Sequence, residues 1–195
     1  MRRYALVPGL LLWAGLFAAC STYTFKGAVY QRPAPAPDFA LSDTQGHNFR
    51  LSDHRGEAVL IGFGYTSCPD VCPLTLAIVK QTFAALGDRA GRVRFAFITV
   101  DPGRDTPDVL QAYLARFDPA FVGLTGDPAA LAGVFSAYGI TVEIENRATP
   151  DLSYAVDHTA RLYLVDPAGR LRAQYPFGVT ADDLRQDIEH VLSEK

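Results

Sequence analysis

The run from Ala58 to Tyr65 is apolar at nearly every position, and a strand without a polar face belongs inside a sheet covered on both sides. After it, Leu74, Ile78, Val79, Phe83 and Leu86 recur at helical spacing until Gly87. Val93 to Val100 is a second apolar strand, so the three segments predict a β-α-β unit. Ahead of it, Asp43-Thr44-Gln45-Gly46 divides two short runs between Phe39 and Arg50, the pattern of a β-hairpin. Beyond it, Thr106-Pro107-Asp108 combines a hydroxyl cap, a proline at the first helical position and an acid in the first turn, predicting a helix to about Phe117. A strand near Phe121 to Leu124, a helix from about Pro128 to Tyr138 and a strand near Ile140 to Ile144 follow. Strands near Ala160 to Val165 and Leu171 to Tyr175 flank the turn Asp166-Pro167-Ala168-Gly169 and should form a hairpin at the sheet edge, with Thr180 opening the last helix.

That order is thioredoxin-like: an α/β fold of three layers, with an N-terminal β-hairpin and a central mixed sheet. A chain of 195 residues with 49% hydrophobic content can bury one ordinary core, and neither an internal repeat nor a second domain shows.

The first twenty residues have the layout of an export signal. Arg2 and Arg3 precede an apolar run from Tyr4 to Ala19, which ends in small residues before Cys20. The run is shorter than the roughly 20 residues of a comfortable bilayer crossing, and Pro8-Gly9 weakens it as a helix, so cleavage is expected over permanent spanning. Leu16-Phe17-Ala18-Ala19-Cys20 resembles a bacterial lipoprotein box, in which the cysteine is acylated; Phe17 stands where that pattern usually has Leu, and an uncleaved anchor helix is the alternative. Both readings put the domain on a membrane tether outside the cytoplasm, on the periplasmic side. Residues 21–37 turn polar and then alternate Pro33, Pro35 and Pro37 with alanine, which predicts an extended spacer and a domain from 38 to 195. Loss of the two leader arginines takes the formal charge from −3 to −5, a balance that argues against nucleic acid as a partner.

With Cys20 in the leader, the domain keeps one close pair, Cys68 and Cys72, which is no disulfide framework. Gly64-Tyr65-Thr66-Ser67-Cys68-Pro69-Asp70-Val71-Cys72-Pro73 lies where the first core strand gives way to its helix, the sheet edge that ligand and catalytic sites favour. Pro73 suits the first helical position, which makes Cys72 the expected cap and leaves Cys68 in the loop before it. Unpaired N–H groups and the positive end of the helix dipole would then favour thiolates at both positions. A structural disulfide is the bland alternative, but it would close a very short loop, where the entropic gain is smallest.

Thr66-Ser67-Cys68-Pro69-Asp70-Val71-Cys72-Pro73 resembles the signature of the Sco/SenC family, with CxxxC in place of the thioredoxin CxxC. Asp101-Pro102-Gly103-Arg104-Asp105-Thr106-Pro107 resembles the family's DPxRDTP segment, and Val156-Asp157-His158-Thr159 its VDHS, with Thr159 for the usual serine. The resemblance runs from Asp38 to about Leu192. It implies copper, as Cu(I) or Cu(II), held by Cys68, Cys72 and His158. It also implies a metallochaperone rather than an enzyme, serving the copper A centre of cytochrome c oxidase subunit II. Other copper chaperones and thiol–disulfide reductants are further implied partners. Soft thiolates suit Cu(I), imidazole suits both oxidation states, and three ligands leave room for a fourth from a recipient.

His158 stands, on this reading, at the start of the strand Ala160 to Val165, where thioredoxin-like oxidoreductases usually carry a cis-proline facing the cysteines; Asp157 could orient its ring. His47, His54 and His190 have no cysteine near them in sequence and read as solvated. Asp101, Arg104 and Asp105 read chiefly as holding a turn, and Asp70 as a solvent-facing or partner-steering charge. The main rival function is a thiol–disulfide oxidoreductase that reduces the copper A cysteines, for which Cys68 and Cys72 alone would be the redox pair. A peroxiredoxin-type peroxidase is a third reading, but Tyr65 and Pro69, not threonines, stand three residues before the two cysteines.

Overall fold

The computed structural model describes residues 23–30, 32–145 and 154–194. Cys20 and the expected export leader lie outside the described residues, and among those described no helix is long and apolar enough to cross a membrane.

The core is built on β4 (Ala58–Gly64) and β5 (Val93–Thr99), which pair in parallel from Ala58↔Val93 to Gly64↔Thr99. All seven residues of β4 are buried. The two-residue alternation of a strand sends Val59, Ile61 and Phe63 into one apolar cluster and Ala58 and Leu60 into the other. This double burial is why the segment reads as continuously apolar. The parallel set continues with β6 (Val122–Thr125), beyond which come β2 (Ala40–Asp43) and β3 (Asn48–Arg50), the predicted hairpin. On the other side β9 (Arg161–Val165) pairs antiparallel with β4 and carries β10 (Leu171–Pro176). Helices α1 (Val71–Leu86), α2 (Pro107–Ala115) and α4 (Ala181–Ser193) cover one face of the sheet, and α3 (Pro128–Tyr138) covers the other. The expected three layers and central mixed sheet are therefore those observed.

Capping residues set the helix starts. The Thr106 hydroxyl accepts from Val109 N–H, Asp127 accepts from Ala129 and Ala130 N–H, and Thr180 accepts from Asp183 N–H.

Two features depart from the sequence expectation. The last hairpin is not the edge: β1 (Ala28–Val29), drawn from the expected spacer, pairs outside β10. Its approach is fixed by Asp187, fully buried on α4, which accepts from the Tyr23 and Tyr175 hydroxyls and from the Lys26 and Gly27 N–H groups. The second departure concerns β7 (Val142–Glu145) and β8 (Ala155–His158), which form their own two-stranded antiparallel sheet. His158 thus ends β8 instead of opening β9, because Val156 and Tyr154 pack into the core beside the cysteine loop and draw this stretch out of the main sheet.

Replacing Asp187 by alanine removes the acceptor shared by four donors, of which the buried Tyr175 hydroxyl alone costs roughly 1–3 kcal/mol when left unpaired. Urea unfolding of Asp187→Ala should show a loss of about 3 kcal/mol or more, and limited proteolysis should open the chain within residues 23–30.

Candidate metal centre

The loop that carries the sulfurs leaves the carboxyl end of β4. Val100 N–H donates to Gly64 O at 2.8 Å, so β5 holds the strand to its last residue. Gly64 is required there for space. A Cβ on it would lie 2.7 Å from the Phe97 ring and 2.8 Å from Cys72 Sγ. Cys72 therefore rests its sulfur directly on the strand backbone.

Helix α1 starts two residues earlier than Pro73 suggested. Asp70 is the N-cap residue, without a side-chain cap bond, and Cys72 lies inside the first turn. The vacant cap role falls to sulfur: Cys72 N–H donates to Cys68 Sγ at 3.4 Å. The two cysteines consequently differ. Cys68 is half-buried at the loop surface, whereas Cys72 is 3% exposed. Burial pushes the Cys72 thiol well above the usual range, opposed by a hydrogen bond from the Tyr65 backbone and reinforced by the neighbouring Cys68. For Cys72, desolvation outweighs the helix dipole, which corrects the expectation of a thiolate.

His158 closes the site from across the loop. Its Nε2 lies 3.8 Å from Cys72 Sγ, and its Nδ1 lies 3.2 Å from the Thr159 carbonyl oxygen. A carbonyl only accepts, so Nδ1 carries the hydrogen and Nε2 presents its lone pair toward the sulfur. Burial holds the imidazole below its ordinary pKa, and the Thr159 bond works in the opposite direction. The ring is thus neutral at pH 7, the form that binds metals. Asp157 is exposed and does not bond the ring; the Thr159 carbonyl has the orienting role that the sequence offered to Asp157. The Tyr65 ring stands edge-on to the imidazole, with centroids 5.9 Å apart.

Donors bonded to one first-row ion at about 2.3 Å for sulfur and 2.0 Å for nitrogen stand about 3.5–3.8 Å apart, which is the separation of Cys72 and His158. Among the described residues no three His, Cys, Asp or Glu side chains converge as a finished cage. Cys68 Sγ lies against the first turn of α1, 3.4 Å from the Cys72 backbone nitrogen. Clefts open on both sides of His158: one is lined by Tyr65, Cys68, Pro69 and Asp157, the other by Val71, Cys72, Thr75 and Phe177. The donor chemistry and the sulfur–nitrogen span fit copper.

The acidic segment after β5 does more than turn the chain. Asp105, 1% exposed, accepts from the Thr66 hydroxyl at 2.6 Å, the Thr66 N–H and the Thr99 hydroxyl at 2.6 Å. Burial raises its pKa while those donors oppose the rise. Asp101, fully buried, pairs with Arg104 and accepts from the Tyr154 hydroxyl at 2.5 Å. Both carboxylates hold the elements around them. Sequence reasoning missed Gly64, Thr66, Tyr154 and the Thr159 carbonyl. Only the Asp105-Thr66 pairing had a signal, in that both residues sit inside the quoted motifs.

The remaining candidates stand apart from this centre. Asp70 is exposed at the start of α1. His47 is solvated, with 71% of its side chain exposed, and lies 3.3 Å from Asp43. His54 and His190 are less so: His54 stacks on Phe49 and meets Glu57 at 3.2 Å, and His190 stacks on Tyr23 and meets Glu194 at 3.0 Å.

Known proteins are similar to this chain in both sequence and fold. A SCO2-like protein of Rickettsia felis is 38% identical over 133 residues, which make up 68% of this chain and 65% of that relative, a little under two thirds of its length. The copper-bound structure of ScoI from Bradyrhizobium japonicum superposes with a TM-score of 0.73 at 38% identity, covering 81% of this chain and 99% of that one. The solution structure of apo Sco1 from Thermus thermophilus gives a TM-score of 0.78 at 37% identity, covering 88% and 99%. The SCO1/SenC family model matches residues 28–193, and the chain belongs to the SCO1/SenC family.

Proposed function

We propose that this chain is a copper metallochaperone that binds copper through Cys68, Cys72 and His158 and serves the copper A centre of cytochrome c oxidase subunit II. The observation that carries the reading is the 3.8 Å approach of a buried sulfur and a neutral imidazole nitrogen at the mouth of the sheet. Copper is cargo on this reading. Two sulfurs and one nitrogen tolerate both Cu(I) and Cu(II), and a recipient cysteine could enter as a fourth donor, so that copper passes without becoming free. The cleft beside Cys68 supports access from that side. Acylation of Cys20 would hold the domain on the extracytoplasmic face of the cell membrane, facing a membrane-bound recipient.

A thiol–disulfide oxidoreductase that prepares the recipient's cysteines is the second reading. It is favoured by one observation: Cys68 is accessible and Cys72 is buried behind it, the order of an attacking and a resolving thiol. The two functions are compatible, since an oxidised pair cannot bind metal and its redox state would gate loading.

Anaerobic Cu(I) titration against a chromophoric chelator separates the readings. One copper per chain is expected, and His158→Ala should weaken it by two or more orders of magnitude while leaving disulfide exchange largely intact. Equal copper retention in His158→Ala overturns the ligand assignment. Because Cys72 is held as a thiol, loading at neutral pH should release protons, and apparent affinity should fall as pH falls and protons compete for the sulfurs. In metal-free single-cysteine variants, Cys68 should alkylate with iodoacetamide about tenfold faster than Cys72 at neutral pH; equal rates would contradict the burial asymmetry.

A further inference from the structure

The imidazole reaches the Cys72 sulfur because β8 lies beside the cysteine loop like a strap, and the strap is held at both ends. At the His158 end, Thr141 N–H donates to Thr159 Oγ1 and Thr159 N–H donates to the Thr141 carbonyl oxygen, both at 3.1 Å. At the other end Tyr154, 7% exposed, is held by the turn between β5 and α2. The Arg104 guanidinium stacks 3.9 Å from the centre of the Tyr154 ring, donates through Nη1 to the Tyr154 carbonyl oxygen at 3.0 Å and pairs with buried Asp101. The same guanidinium lies 5.6 Å from the centre of the Tyr65 ring, which belongs to the cysteine loop. Between the two ends, Ala155, Val156 and Asp157 of the strap and Tyr65, Cys68 and Pro69 of the loop face one cleft. Asp105, one residue beyond Arg104, clamps Thr66 of the same loop.

We propose that Arg104 and Asp101 are positioning residues, which pin Tyr154 and so lay His158 across the cysteine loop at the span a shared copper ion needs. The turn from Asp101 to Asp105 then grips both halves of the centre, the sulfur loop through Thr66 and the imidazole strap through Tyr154, without contributing a donor to the metal. A planar guanidinium suits the task because it can stack on a ring while its N–H groups bond a carboxylate and a carbonyl in the same plane. The inference rests on the copper reading for its affinity readout alone; the placement of His158 is measurable without metal.

The test uses the full chain in detergent, with Arg104→Gln and, in case that variant does not fold, Tyr154→Phe, which keeps the ring and loses only the hydroxyl bonded to Asp101. In metal-free protein, diethyl pyrocarbonate should modify His158 several-fold faster in the variants than in the wild type, with exposed His47 as the internal reference. Unchanged His158 rates in a folded variant overturn the proposal. With copper, the variants should lose about 10- to 100-fold in affinity, the range typical for groups that orient a metal ligand. Combining either variant with His158→Ala should add no further loss beyond His158→Ala, because the pin acts through that ring; an additive loss indicates a general packing role and also overturns it. If wild type and His158→Ala hold copper equally, the copper reading fails and the modification rates still decide the strap.

Discussion

The structure depends on how closely Cys72 approaches the end of β4. A side chain at residue 64 would collide with its sulfur, so Gly64 lets the first turn of α1 sit on the strand and buries the thiol. Burial then governs the chemistry. A desolvated thiol holds its proton, a desolvated imidazole sheds its own, and the two face each other in their neutral forms. Cys68, half-buried at the loop surface, caps the helix with its sulfur. The CxxxC spacing thus yields two unlike sulfurs, one fixed in the wall and one at the rim.

Around that contact the scaffold supplies rigidity from one side. β5 runs beside β4 throughout its length, and its carboxyl end leads into the turn that holds Thr66, Arg104 and Tyr154. Asp101 and Asp105 are buried carboxylates, costly to place in a protein interior unless hydrogen-bonded or paired. Each has its partners: hydroxyls and a backbone N–H for Asp105, a guanidinium and a phenol for Asp101. Asp187 does the same at the opposite edge of the sheet, where it draws residues 23–27 onto α4 and β10. These three buried acids, two on the turn after β5 and one on α4, hold irregular chain against the regular core.

Much of the molecule was legible before its structure. The doubly buried β4 and β5, the amphipathic α1, the Thr106 and Thr180 caps and the hairpin turn at Asp166 are short-range patterns, each completed within a few residues of chain. Helix α3 begins and ends where its proline and tyrosine suggested, helped by Asp127 at one end and Gly139 in a left-handed conformation at the other. Harder to read were β1, too short to show a period, and β8, whose alternation of buried and exposed residues looked like an approach to the following strand. Both are specified by what they pack against, not by their own sequence.

By itself, then, the sequence determined the order of elements, the sulfur pair at a strand–helix junction and the candidate imidazole, because periodicity, capping and motif spacing are local properties. Tertiary structure alone decided that Cys72 is buried and Cys68 is not, that the Thr159 carbonyl and not Asp157 orients His158, and that Arg104 reaches Tyr154 across 50 residues of chain. Desolvation and long-range hydrogen bonds depend on which distant surfaces close over a group, and no window of neighbouring residues contains that information.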